Sequence, residues 1–86
     1  MGLLLGCVAD DVTGATDLAN TLVRNGMRTV QLFGVPAAGT ELPDADAIVI
    51  ALKSRTAPKE EAVDESLCAL RVLRSAGAKQ LFFKYC

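Results

Sequence analysis

Residues 3–9 form an almost unbroken apolar run that ends in two aspartates, Asp10-Asp11, and the hydrophobic period changes immediately afterwards. A continuous apolar run closed by charge is the pattern of a strand covered on both faces, which is typical of parallel sheets. From Thr13 onward, Ala15, Leu18, Ala19, Leu22 and Val23 recur at the spacing of one helix face. Asp11 or Thr13 can cap the start of that helix, and Gly26 supplies its stop. Thr29–Phe33 then predicts a second strand, and the Pro- and Gly-containing stretch 34–46 an irregular crossover. Ala47–Leu52 predicts a third, buried strand, followed by the polar turn Lys53-Ser54-Arg55-Thr56.

Pro58 suits the first turn of a second helix, and Glu60 and Glu61 favour the positive end of its dipole. Val63, Leu67, Leu70 and Leu73 repeat at helical spacing, Gly77 ends the pattern, and Gln80–Tyr85 predicts a fourth strand. The order β-α-β-β-α-β predicts an α/β, Rossmann-like parallel sheet with right-handed crossovers. The expected strand order is 2-1-3-4. Ligands of such sheets gather at the carboxyl ends of the strands. Asp10-Asp11, Lys53-Ser54-Arg55 and Lys84 would therefore share one rim.

Composition narrows the partners. The chain has 86 residues, 51% of them hydrophobic and 22% charged, with a net charge of −1 and no His. That mixture favours a globular core over disorder, and it offers no basic surface to nucleic acid or an anionic membrane. Cys7, Cys68 and Cys86 form no C-x-x-C pair, so neither a zinc site nor a redox motif is expected. Cys7 and Cys68 look like small core residues, and three scattered thiols fit a reducing, cytoplasmic setting. Leu4-Leu5-Gly6-Cys7 superficially resembles a lipoprotein cleavage box, but no Lys or Arg precedes it and Asp10-Asp11 follow at once.

Each candidate site residue has a functional and a plainer reading. Asp10 and Asp11 can accept hydrogen bonds from substrate hydroxyls, hold a hydrated cation or act as a general base. Alternatively, one caps the helix and the other is a solvated turn residue. Thr13-Gly14-Ala15 can admit a ligand to backbone N–H groups at a helix start, or Gly14 can simply allow close packing. No G-x-G-x-x-G or G-x-x-x-x-G-K-[ST] pattern occurs, so nucleotide binding gains no support here. Arg55 can hold a carboxylate or phosphate through two parallel hydrogen bonds, or be solvated like most loop arginines. Lys84 can join the site or merely close an exposed strand. Asp44 and Asp46 read as a polar turn before the third strand.

The segment Leu5-Gly6-Cys7-Val8-Ala9-Asp10-Asp11-Val12-Thr13-Gly14-Ala15-Thr16-Asp17-Leu18-Ala19 resembles the opening of the four-carbon acid sugar kinase family. Ala51-Leu52-Lys53-Ser54-Arg55-Thr56 and Phe83-Lys84-Tyr85-Cys86 resemble two further segments of that family, in the expected order. The resemblance implies a two-domain enzyme that moves the γ-phosphate of ATP, with Mg²⁺, to a terminal hydroxyl of a four-carbon sugar acid: 3-oxo-tetronate, erythronate or threonate. It implies that residues 1–86 are the N-terminal part of the sugar-acid-binding domain. Asp10, Asp11 and Gly14 would form the substrate turn, Arg55 would meet an anionic group, and Lys84 would be a neighbouring contact. Asp11 is the candidate for positioning or deprotonating the attacking hydroxyl.

The family continues beyond this length into a separate C-terminal nucleotide-binding domain. On that basis the 86-residue chain is expected to hold no metal, to bind ATP only weakly and to lack kinase activity alone. A truncated, non-catalytic remnant is the alternative. A receiver-type phosphoacceptor module would need an aspartate where Ala51-Leu52-Lys53 stands, and a haloacid-dehalogenase-type phosphatase would need one at Val12 or Thr13.

Overall fold

The computed structural model describes residues 3–37, 41–52 and 58–84. Six elements follow in the predicted order: β1 (Leu5–Ala9), α1 (Val12–Arg24), β2 (Thr29–Phe33), β3 (Ala47–Ala51), α2 (Lys59–Ser75) and β4 (Gln80–Lys84). The four strands form one parallel sheet, confirming the α/β class. The strand order is β2-β3-β1-β4, which corrects the expected 2-1-3-4. Both orders place the two most apolar strands inside, and β3 is indeed buried along its whole length. They differ in whether β1 or β3 stands beside β2.

The connection between β2 and β3, which has no helix among its described residues, accounts for the observed order. A short irregular segment most easily joins neighbouring strands, and this one is held at both ends. Where it leaves β2, the Gly34 N–H donates to Ala51 O at 2.8 Å. Where it enters β3, the Arg28 carbonyl accepts from the N–H groups of Asp46 and Ala47 at 2.8 and 3.0 Å. The Arg28 N–H in turn donates to the Asp46 carboxylate at 3.0 Å. Between these ties, Val35 and Leu42 pack onto the sheet face that also carries α2. The connection thus covers apolar surface as a crossover helix would.

The two faces of the sheet have different cores. On one, Leu3, Val8, Ile48, Ile50 and Leu52 pack with Ala69 and Leu73 of α2. On the other, Cys7, Ala9, Val49 and Ala51 meet Ala15 and Ala19 of α1, so small residues allow the helix to lie close. Burial pushes the Cys7 thiol up to about 11, which makes it a packing group rather than a nucleophile. Cys68, expected in the core, is exposed on α2. Val63 and Leu67 are also half exposed, because the buried line of α2 runs through Ala69 and Leu73.

Asp44 and Asp46 do more than fill a turn. They flank the Arg28 guanidinium at 3.7 and 3.5 Å. The hydrogen bonds from the Arg28 backbone and side chain hold the Asp46 carboxyl below its ordinary value. A lowered folded-state value means that this support is complete above the ordinary carboxylate range and disappears as pH falls through it. Urea unfolding between pH 6 and pH 3 should therefore show a shallower acid loss of stability in Asp46→Asn than in the parent. Equal slopes would show that the pairing contributes nothing to folding.

Candidate functional site

The carboxyl ends of three neighbouring strands converge on the acidic turn. Phe33, Ala51, Ala9 and Lys84 stand in register across the sheet. The Asp10 N–H donates to Lys84 O at 3.3 Å, and the Leu52 N–H donates to Ala9 O at 2.8 Å. The revised strand order matters here. With β1 between β3 and β4, the turn after β1 is bordered by the end of β3 on one side and by the end of β4, with Lys84, on the other. Lys84, half-buried, closes β4 beside Asp10. Arg55, Lys53 and Ser54 lie outside the described residues.

Asp11 is the N-cap of α1. Its backbone is extended, with φ −148° and ψ 164°. Its Oδ1 accepts from the Gly14 N–H at 2.6 Å, and its carbonyl accepts from the Ala15 N–H at 3.1 Å. A charged cap satisfies an otherwise orphaned donor and sits favourably at the positive helix end. Gly14 is buried at the start of α1, and its N–H donates to Asp11. Asp11→Ala should cost about 1 kcal/mol in chemical denaturation, and Asp11→Ser should restore most of that loss. Equal stability of Asp11→Ala and the parent would remove the capping role.

Residues not singled out from the sequence also border the site. Phe33 ends β2 on the same rim and is 73% exposed. Its signal in the sequence was an aromatic closing a strand immediately before Gly34, whose φ of +82° turns the chain away. Thr16 on α1 and Gln31 on β2 exchange side-chain hydrogen bonds at 3.2 and 3.4 Å, linking the helix to the sheet.

A doubly covered parallel sheet with an acidic turn beside Lys84 at its carboxyl rim has the architecture in which α/β domains hold small ligands. Comparison with known proteins specifies the group: residues 5–86 match the sugar-binding N-terminal domain family, and the chain belongs to it. The 3-oxo-tetronate kinase of Cupriavidus necator is 65% identical over 85 residues, which are 96% of this chain and 20% of that protein. The enzyme of the same name from Escherichia coli K12 is 53% identical, covering 95% of this chain and 21% of its own length. This chain therefore spans about a fifth of the curated relatives it matches.

Solved structures agree in fold. A crystal structure from Salmonella typhimurium LT2, provisionally assigned there as a tRNA synthase, superposes with a TM-score of 0.91 at 51% identity. It covers 100% of this chain and 20% of that one. A curated protein of the same organism, 52% identical to this chain, is named 3-oxo-tetronate kinase. Haemophilus influenzae protein HI1011 gives a TM-score of 0.87 at 51% identity, covering 94% of this chain and 19% of that chain. Among the described residues, no helix is long and apolar enough to cross a membrane.

Proposed function

We propose that this chain is the sugar-acid-binding portion of an ATP-dependent kinase that phosphorylates the terminal hydroxyl of a four-carbon sugar acid. The observation that carries this reading is the acidic turn at the end of β1, bordered by the ends of β3 and β4. A short sugar acid has hydroxyls at one end and a carboxylate at the other. Asp10 and Asp11 suit the hydroxyl end as acceptors, and Arg55 and Lys84 suit the carboxylate end as donors. Asp11 is positioned by its helix cap, and its carboxylate is the one proposed to orient or deprotonate the reacting hydroxyl.

Phosphoryl transfer relies mainly on positioning and on charge stabilisation around phosphates and Mg²⁺. The Gly14 amide at this helix start is already taken by Asp11. On this reading the nucleotide and its metal belong to a separate C-terminal domain. Calorimetric titration of the folded chain with 3-oxo-tetronate, erythronate and threonate tests the binding role, and no heat of binding with any of them would sink it. ATP turnover dependent on a sugar acid by the 86-residue chain alone would overturn the division of labour.

A further inference from the structure

We infer that the Thr16–Gln31 pair sets the place of the acidic turn, so that Gln31 is a positioning residue acting on the site through α1; this rests on the sugar-acid-binding role proposed above. Gln31 lies on the α1 face of the sheet, in a row with Val49, Cys7 and Phe82, and it is the polar member of that row. Its Nε2 donates to Thr16 Oγ1 at 3.2 Å, and the Thr16 hydroxyl lies 3.4 Å from Gln31 Oε1, to which it donates. β2 is an edge strand, so the pair ties α1 to the sheet two strands away from β1.

The packing beneath α1 explains why such a tie matters. Ala15 and Ala19 meet Cys7, Ala9, Val49 and Ala51, with Leu18 and Leu22 packed against the same cluster. Side chains as short as alanine bring the helix close but interlock little. Their burial opposes separation, and because it is non-directional it changes little when the helix slides or rolls slightly. A hydrogen bond depends on both distance and angle, so Thr16 and Gln31 select one placement. Thr16 is five residues from Asp11, about 7.5 Å along the axis, and the helix carries a displacement of one to the other. The Asp11 carboxylate caps that helix through the Gly14 N–H, so it moves with the helix start. A misplacement of about 1 Å at a reacting group can cost on the order of 100-fold in rate.

Gln31→Leu removes the pair while keeping a side chain of similar size. Thr16→Val removes it from the other side, and Thr16→Ser keeps the hydroxyl. In calorimetric titrations of the folded chains with 3-oxo-tetronate, erythronate and threonate, Gln31→Leu and Thr16→Val should each bind ~5-fold more weakly than the parent. Thr16→Ser should stay within ~2-fold, and the double variant Gln31→Leu/Thr16→Val should bind no more weakly than either single one, since both act through one contact. The Gly14 amide reads the same displacement without ligand, and its exchange should be ~5-fold faster in Gln31→Leu while that of Leu22 is unchanged. A surface contact that only supports folding would leave the affinity of every folded variant at the parent's value. That result overturns the inference and leaves the binding role standing, and unchanged exchange at Gly14 overturns it as well. No binding by the parent would overturn the binding role instead, and the Gly14 amide would still decide whether the pair places the turn.

Discussion

Gly6→Val is expected to lower the stability of this chain by about 3 kcal/mol, the upper part of the range for overpacked cores. A Cβ at position 6 would stand 2.9 Å from the Leu73 Cβ, 3.1 Å from the Leu73 Cδ1 and 3.1 Å from the Leu81 Cδ2. The nearest of these atoms is attached directly to the α2 backbone, so a rotamer change cannot move it. The helix itself must shift. Replacing glycine in a strand would otherwise gain about 0.5–1 kcal/mol of backbone entropy, with a similar gain in strand propensity for valine. The clash exceeds that gain because Val adds two methyl groups beyond an already overlapping Cβ. Thermal melts should fall by roughly 12–24 °C, given ~4–8 °C per kcal/mol at this domain size. A variant as stable as the parent would mean that α2 is not held against β1 at this distance.

Asp10→Asn should weaken sugar-acid binding about tenfold or more, beyond whatever change it makes in folding stability. Two effects oppose each other. Removing the negative charge relieves repulsion from the ligand carboxylate, worth about 0.6–1.2 kcal/mol at ~7 Å in an effective dielectric of ~40–80. Against this, a hydrogen bond to a charged acceptor contributes about 1.5–3 kcal/mol, and the two oxygens of the Asp10 carboxylate give it room for two hydroxyls. The lost hydrogen bonds outweigh the relieved repulsion, and ~1.4 kcal/mol is a factor of ten in affinity. Calorimetric titration of both proteins, with urea unfolding as the control, reads the two quantities separately. Affinity within twofold of the parent would place the ligand elsewhere.

Local structure was legible because each element carries its own periodicity and stop. β2 spans Thr29–Phe33 as predicted, α1 is capped by Asp11, and positive φ angles at Gly26 and Gly77 follow the two helices. The strand order was not legible. It depends on Arg28 meeting Asp46 and on Val35 and Leu42 substituting for a helix, contacts between residues that no period relates. The apolar face of α2 was read too widely, since Val63 and Leu67 share the spacing of Leu70 and Leu73 but not their burial. Periodicity finds an apolar stripe without saying which part of it meets this sheet. At the site, the grouping of Asp10-Asp11 with Lys84 followed from parallel topology alone. That Asp11 would spend a carboxylate oxygen on the Gly14 amide was only one of two readings until the cap geometry was in view.

The interleaved sheet also determines when the acidic turn can become ordered. β1 is synthesised before both strands that flank it, yet Leu5 pairs with Ala47 on one side and with Gln80 on the other. Both closures span long loops, whose entropy must be lost before any pairing energy returns. The strand that carries the turn is thus made before both of its neighbours and enclosed only once they are in place. Until Lys84 has been synthesised and docked, Asp10 lacks the neighbour that receives its backbone N–H. Substitutions in β4, far along the chain, should therefore act first as delays in forming the site and only secondarily as changes within it.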